Sequence, residues 1–149
     1  MSEALKLENQ LCHRFYTVSN AFSRAYRPLL KSLDITYPQY VVLMALWEQD
    51  DISISELLQH TRIDGGAMTL ILRKLQDKGY LTLYADDRDK RSRRVKLTQT
   101  GVDTKQLAET IPHQMLCNLD QLTKEEAIQL RDLIDKLSDC LTSSVCSAK

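Results

Sequence analysis

The chain has no excess of either charge. Twenty Lys and Arg are balanced by twenty Asp and Glu, giving a formal net charge of +0 and a pI near 6.8. That balance argues only weakly against a nucleic-acid partner, because a local basic stripe is enough to hold one. It has no run of about 18 apolar residues, so no membrane-spanning helix is expected. The N-terminus opens on polar residues and lacks the apolar core of a secretory signal, so the expected location is cytoplasmic, with no membrane partner. In that compartment Cys12, Cys117, Cys140 and Cys146 are expected to be reduced. No C-x-x-C and no cysteine–histidine pairing stands among them, and His13, His60 and His113 have no ligand-like spacing, so no metal and no cofactor is expected. There is no internal repeat and no low-complexity linker. What remains is 149 residues, enough for one domain with its own core.

Apolar residues recur at helical spacing from about residue 5 to 33, through Leu7, Leu11, Phe15, Val18, Phe22, Leu29 and Leu33. Pro28 is tolerable late in such a helix as a kink. Thr36 reads as an N-cap with Pro38 in the first turn of a helix carrying Val41, Leu43, Met44 and Trp47. Ser53-Ile54-Ser55-Glu56 is a capping box opening a short helix. Asp64 caps the next, predicted over Gly65 to Lys78, with Met68, Ile71, Leu72 and Leu75 inward and Gly79 as a left-handed stop. Two short helices joined by a tight turn are a helix-turn-helix signature.

After Gly79 the period changes. Tyr80 to Tyr84 and Val95-Lys96-Leu97 alternate as strands around the charged turn of residues 86–94, which predicts a hairpin. Thr98 then caps a long helix interrupted by Pro112, and Thr123-Lys124-Glu125-Glu126 caps another. The expected class is mainly α with a small β hairpin. It is a winged helix-turn-helix (residues 36–98) with N- and C-terminal helical dimerisation arms (about 5–33 and 99–142) and a frayed tail (143–149).

Six basic side chains fall in residues 86–96 against three aspartates. An isolated run of this kind is usually a solvated loop that keeps an edge hairpin soluble. Here it follows a helix whose outer positions, Gly65, Gly66, Ala67 and Thr69, are small or polar, with Arg73 farther along. Small residues allow close approach to a groove, and free amides at a helix N-terminus suit a phosphate. Together with Arg88, Lys90, Arg91 and Arg93 of the hairpin, they make a coherent surface for double-stranded DNA: phosphate contacts position it and arginine reads minor-groove shape. A single recognition helix reads few base pairs, so a two-fold homodimer on two half-sites is expected.

These features resemble the MarR family of bacterial transcription regulators. The family's D-x-R motif stands as Asp89-Lys90-Arg91, followed by L-T-x-x-G as Leu97-Thr98-Gln99-Thr100-Gly101. The resemblance implies that Asp89 structures the wing and that Arg91 reaches the minor groove. Gly65-Gly66 departs from the hydroxyl-bearing residues more usual at the start of the recognition helix. Within the family, LENQLC (residues 7–12) and TYPQY (36–40) resemble the organic-hydroperoxide-sensing, OhrR-like branch of repressors. That resemblance implies a sensing thiol at Cys12 and thiolate-binding tyrosines at Tyr26 and Tyr37, with Tyr16 contributed across the dimer. It also implies a second cysteine, at Cys117, that forms an inter-subunit disulfide. Cys140 and Cys146 are bystanders in this scheme.

The chemistry fits the residue types. Thiolate, not thiol, attacks a hydroperoxide. Phenol hydroxyls stabilise a thiolate by hydrogen bonding without adding fixed charge, and Phe15 and Phe22 extend an apolar wall for an organic peroxide. Each residue taken alone also has a plain structural reading, since an unpaired cysteine on an apolar helix face is commonly inert packing. Two other readings therefore stay open. One is a regulator that binds a small phenolic or anionic ligand; the other is a thiol peroxidase, an enzyme for which no arginine accompanies Cys12 in its motif.

Overall fold

A computed structural model describes residues 2–143. Of the tail expected to fray, Ser143 is still helical; the remainder, including Cys146, lies outside the described residues. The chain divides into two compact units between Met115 and Leu116.

The first unit starts with two short 3-10 turns, Glu3–Leu5 and Leu7–Asn9, and then helix α1, Leu11–Leu30. The single long helix expected over 5–33 is thus shorter at both ends. Its last turn gives way to a 3-10 turn, Lys31–Leu33, which stops at Asp34 in the left-handed region with φ 49°. Pro28 lies inside α1. Helix α2 is Tyr37–Glu48, and the Gln39 side chain accepts from the Thr36 N–H at 3.0 Å.

Helix α3 (Ile54–Thr61) is capped by Ser53, whose hydroxyl accepts from the Glu56 N–H at 3.1 Å. The Glu56 carboxylate accepts from the Ser53 N–H at 2.8 Å, completing the expected reciprocal cap. Helix α4, Gly65–Asp77, packs Met68, Leu72 and Leu75 into a core shared with Leu30, Val42, Leu43, Leu46 and Leu57. Gly79 takes the left-handed conformation, φ 79°, that ends it.

The hairpin is present as β2 (Leu81–Ala85) and β3 (Arg93–Leu97), but the sheet has a third strand that the sequence did not announce. The two-residue strand β1, Ile52–Ser53, pairs with β3 on the side away from β2, giving the antiparallel order β1-β3-β2. Ile52 and Leu83 both stand opposite Val95, and Ser53 and Tyr84 both stand opposite Arg94. Two residues carry too little alternation to be read as a strand, and these are also the entry to a capping box.

Helix α5, Gln99–Ala108, is capped by Thr98. Its backbone passes so close to the end of α4 that a Cβ on Gly101 would overlap the Tyr80 carbonyl oxygen. The Gly101 carbonyl in turn accepts from Trp47 Nε1 at 2.9 Å. The L-T-x-x-G glycine is therefore explained by close approach rather than by a turn. Helix α6, Ile111–Cys117, starts where Pro112 was expected to interrupt a longer helix. In the second unit, α7 (Lys124–Ser143) starts from the Thr123 cap, with the Glu126 carboxylate accepting from the Thr123 N–H at 2.9 Å. It buries no residue, and leaves Ile128, Leu130, Leu133, Ile134 and Leu141 exposed. No helix among the described residues is long and apolar enough to cross a membrane.

Candidate functional site

Two regions carry chemistry, both in the first unit. The first is the outer face of α4 with the hairpin tip. Gly65, Gly66, Ala67, Thr69 and Arg73 are all exposed, and the space around a Cβ at Gly65 is open. The helix N-terminus is not free to receive a phosphate as expected, because the Asp64 carboxylate already accepts from the Gly66 N–H at 2.9 Å and the Ala67 N–H at 3.4 Å. A fixed negative charge there opposes an incoming phosphate. Leu70, which sequence reasoning passed over, is half exposed on the same helix and adds an apolar group to that surface.

Arg88, Asp89, Lys90, Arg91 and Arg93 are exposed at the hairpin tip. Asp89 shapes the turn through the backbone: its carboxylate accepts from the Arg91 N–H at 3.0 Å and its carbonyl from the Ser92 N–H at 2.9 Å. Asp86 does the same for the Arg88 N–H at 2.9 Å. The side chain that anchors the wing is Arg94, which the sequence reading counted among the basic residues without assigning it a role. Its Nε donates to Asp51 Oδ1 at 3.1 Å, its Nη1 to Asp86 Oδ2 at 3.4 Å, and its Nη2 to the Asp51 carbonyl. The Tyr84 hydroxyl donates to the same Asp51 carboxylate. That bond, followed by Arg94, holds Asp51 below the usual carboxylate range. Asp86 is lowered first by the Arg88 backbone N–H and then by Arg94. Asp51 has φ 55°, a left-handed conformation that costs a non-glycine residue energy and is held here by its partners. A short signal was available: an Asp-Asp turn before β1 and an arginine opposite Tyr84 in the hairpin.

The second region lies on α1. Cys12 is exposed near the helix start, and Tyr16, one turn on, is 67% exposed. Phe15 and Phe22 are each 38% exposed. Tyr26 and Tyr37 lie together, stacked with ring centroids 4.4 Å apart, and Tyr40 packs on Tyr26 at 6.0 Å. Burial, and then the neighbouring Tyr37, push the Tyr26 phenol above its ordinary value, so it remains a neutral O–H donor at physiological pH. The structure does not bring this pair to Cys12 of the same chain. Fourteen residues of helix at about 1.5 Å each put Tyr26 about 21 Å from Cys12. Within one chain, therefore, Tyr16 lies one turn from Cys12, and Tyr26 with its stacked neighbour Tyr37 lies out of its reach. Cys117 ends α6, exposed, at the start of the second unit, and Cys140 is exposed on α7. Among the described residues no cluster of His, Cys, Asp or Glu is placed to hold a metal ion.

A helix-turn-helix flanked by a basic three-stranded wing defines a winged-helix DNA-binding regulator. Residues 35–92 match the MarR family model. The chain is 34% identical over 137 residues to the organic hydroperoxide resistance transcriptional regulator of Bacillus subtilis (strain 168), covering 92% of each protein. The structure of reduced AbfR bound to DNA superposes with TM-score 0.75 at 27% identity, over 97% of this chain and 98% of that one. Disulfide-formed AbfR superposes with TM-score 0.62 at 28% identity, over 91% and 94%. The chain belongs to the MarR family and is a DNA-binding transcriptional regulator, not an enzyme.

Proposed function

We propose that this regulator is a thiol-based repressor: reduced, it binds operator DNA as a homodimer, and oxidation of Cys12 by an organic hydroperoxide releases it. The observation that carries the reading is the exposed Cys12 with Tyr16 one turn away, in a chain whose likeness to a hydroperoxide-resistance regulator spans nearly its full length. The solved reduced, DNA-bound and disulfide forms of AbfR, a structural relative, support a redox switch on this fold.

The dimer follows from exposed apolar surface. Leu11 (58%), Phe15, Val18 (51%) and Phe22 recur along α1, and α7 covers nothing in its own unit. A second copy supplies the cover, and with it Tyr26 and Tyr37 for the first copy's Cys12. Two phenols donating to one sulfur stabilise its thiolate. That thiolate attacks the outer peroxide oxygen. The S–O bond forms as the O–O bond breaks, and the departing alkoxide takes a proton, leaving a sulfenic acid and an alcohol. A Cys117 thiolate of the partner then attacks the sulfenic sulfur and expels hydroxide, closing an inter-subunit disulfide. Its α-carbons must come within about 7 Å, which pulls the arms and with them the spacing of the two wings.

The test is operator binding by reduced protein before and after one equivalent of organic hydroperoxide, for wild type and Cys12→Ser. Release in the wild type alone is the expected result. Equal release in both proteins would remove Cys12 from the mechanism.

A further inference from the structure

Among the described residues, the exposed large apolar side chains lie on the two arms, with one exception. Leu70 is 51% exposed on α4, in the middle of the winged region. At about 100° per residue, Met68, Ile71, Leu72 and Leu75 bury one side of α4, and Gly66, Leu70 and Arg73 share a sector about 60° wide on the opposite side. Leu70 therefore stands at the crest of the helix that a winged helix-turn-helix lays in the major groove. Gly66, one turn earlier, has no side chain to shield it.

This crest carries almost no hydrogen-bonding capacity. From Gly65 to Leu72 the Thr69 hydroxyl is the only side-chain hydroxyl, amide or charged group, and it donates to the Gly65 carbonyl at 3.0 Å. The Asp64 carboxylate before it is engaged by the Gly66 and Ala67 amides. The first two turns of α4 thus present carbon to whatever they meet. In the major groove the one apolar group on a base edge is the 5-methyl of thymine. Leu70 also borders a hollow of ≈430 Å³ beside Pro38 and Ile63, yet half of its surface stays open to solvent.

We propose that Leu70 is a specificity-determining residue of this regulator: it packs on the 5-methyl of one thymine in each half-site. The start of α4 then reads an A·T pair by apolar contact instead of by hydrogen bonds. A cytosine in the same place has no methyl, and its amino donor faces a leucine that cannot accept from it. The assignment rests on the DNA binding of the proposed repressor and is independent of its thiol switch.

Reduced, full-length protein first selects its preferred duplex from a randomised pool. Each thymine of one half-site is then replaced singly by deoxyuridine, which deletes only the 5-methyl, and affinity is read by fluorescence anisotropy. At one thymine the replacement should weaken the wild type about fourfold, the worth of one buried methyl. The same replacement should leave Leu70→Ala unaffected, and Leu70→Met, apolar and of similar volume, should restore the sensitivity. Cys12→Ser should show the wild-type pattern. A wild type indifferent to every methyl would overturn the assignment and leave the repressor reading standing. So would methyl sensitivity that persists in Leu70→Ala, since Leu70 would then only roof the hollow beside Pro38. A protein that enriches no duplex would overturn both readings.

Discussion

Arg94 Nε and Asp51 Oδ1 lie 3.1 Å apart, joining strand β3 to the turn before β1. The same guanidinium reaches Asp86 at the base of the hairpin tip, so one side chain fixes both the edge strand and the turn that presents Arg91 and Arg93. Arg94→Ala is expected to leave the helical core folded but to speed amide exchange at Ser53, Tyr84 and Ser92, read by hydrogen-exchange NMR. The pH dependence has a definite sign. Asp51 and Asp86 are both depressed in the folded state, so their contribution is complete above the ordinary carboxylate value near about 4 and is lost as pH falls through the lower folded values. Wing amides in the wild type should therefore lose protection on acidification before core amides do. Equal exchange in Arg94→Ala and wild type at neutral pH would show the wing is held by its backbone alone.

Arg91 and Arg93 are exposed at the tip, and no ion pair among the described residues occupies them. Each is free to meet DNA. Arg91→Ala and Arg93→Ala are each expected to weaken operator binding by about 1–3 kcal/mol while leaving the oligomeric state unchanged. Fluorescence anisotropy with labelled operator reads the first, and sedimentation the second. Unchanged affinity in both variants would take the wing out of the interface.

Gly101→Ala sets two effects against each other. Replacing glycine in a helix interior gains about 0.4–1 kcal/mol by restricting the unfolded chain. Here the added methyl overlaps the Tyr80 carbonyl and presses on Leu97 Cδ2 at 3.0 Å, and overpacking against backbone costs about 1–3 kcal/mol or more. The clash wins, so net destabilisation is expected in denaturant melts. Trp47, the single tryptophan, donates to the Gly101 carbonyl, so its fluorescence should report the shift directly.

The legible parts of this molecule were those with local causes. Ser53 with Glu56, Thr123 with Glu126, Asp64 and Gly79 each mark a helix end through bonds spanning a few residues, and the structure places them as read. What escaped was long-range. Strand β1 exists because β3 lies beside it, and Arg94 matters because a turn more than forty residues earlier supplies its acceptors. The Asp64 cap was read correctly, but its consequence was not: the carboxylate that starts α4 also occupies amides that had been assigned to a phosphate. The separation of Cys12 from Tyr26 could have been counted from the helix itself. Fourteen helical residues exclude a contact in one chain whatever the family suggests.

That separation gives the sharpest prediction. Tyr26, on which Tyr37 stacks, lies about 21 Å along α1 from its own Cys12, so any thiolate this pair stabilises is expected to belong to the partner. In homodimers, Tyr26→Phe and Tyr37→Phe should each slow alkylation of Cys12 at neutral pH. A mixed dimer distinguishes the two arrangements. One chain carries Cys12→Ser with both tyrosines intact, and the other carries Cys12 with Tyr26→Phe and Tyr37→Phe. If the tyrosines act across the two-fold axis, the one remaining Cys12 faces a complete pair and reacts at the wild-type rate. If they act within a chain, it faces two phenylalanines and reacts as slowly as the double-mutant homodimer. Alkylation with mass-spectrometric readout of the tagged chain separates these outcomes. The same mixed dimer should form one inter-subunit disulfide after hydroperoxide where the wild type forms two, each bridge needing its own Cys12. A slow single thiol would mean that the tyrosines act on the Cys12 of their own chain, whereas an unchanged rate in the double-mutant homodimer would leave Tyr16 as the only phenol beside the sensor.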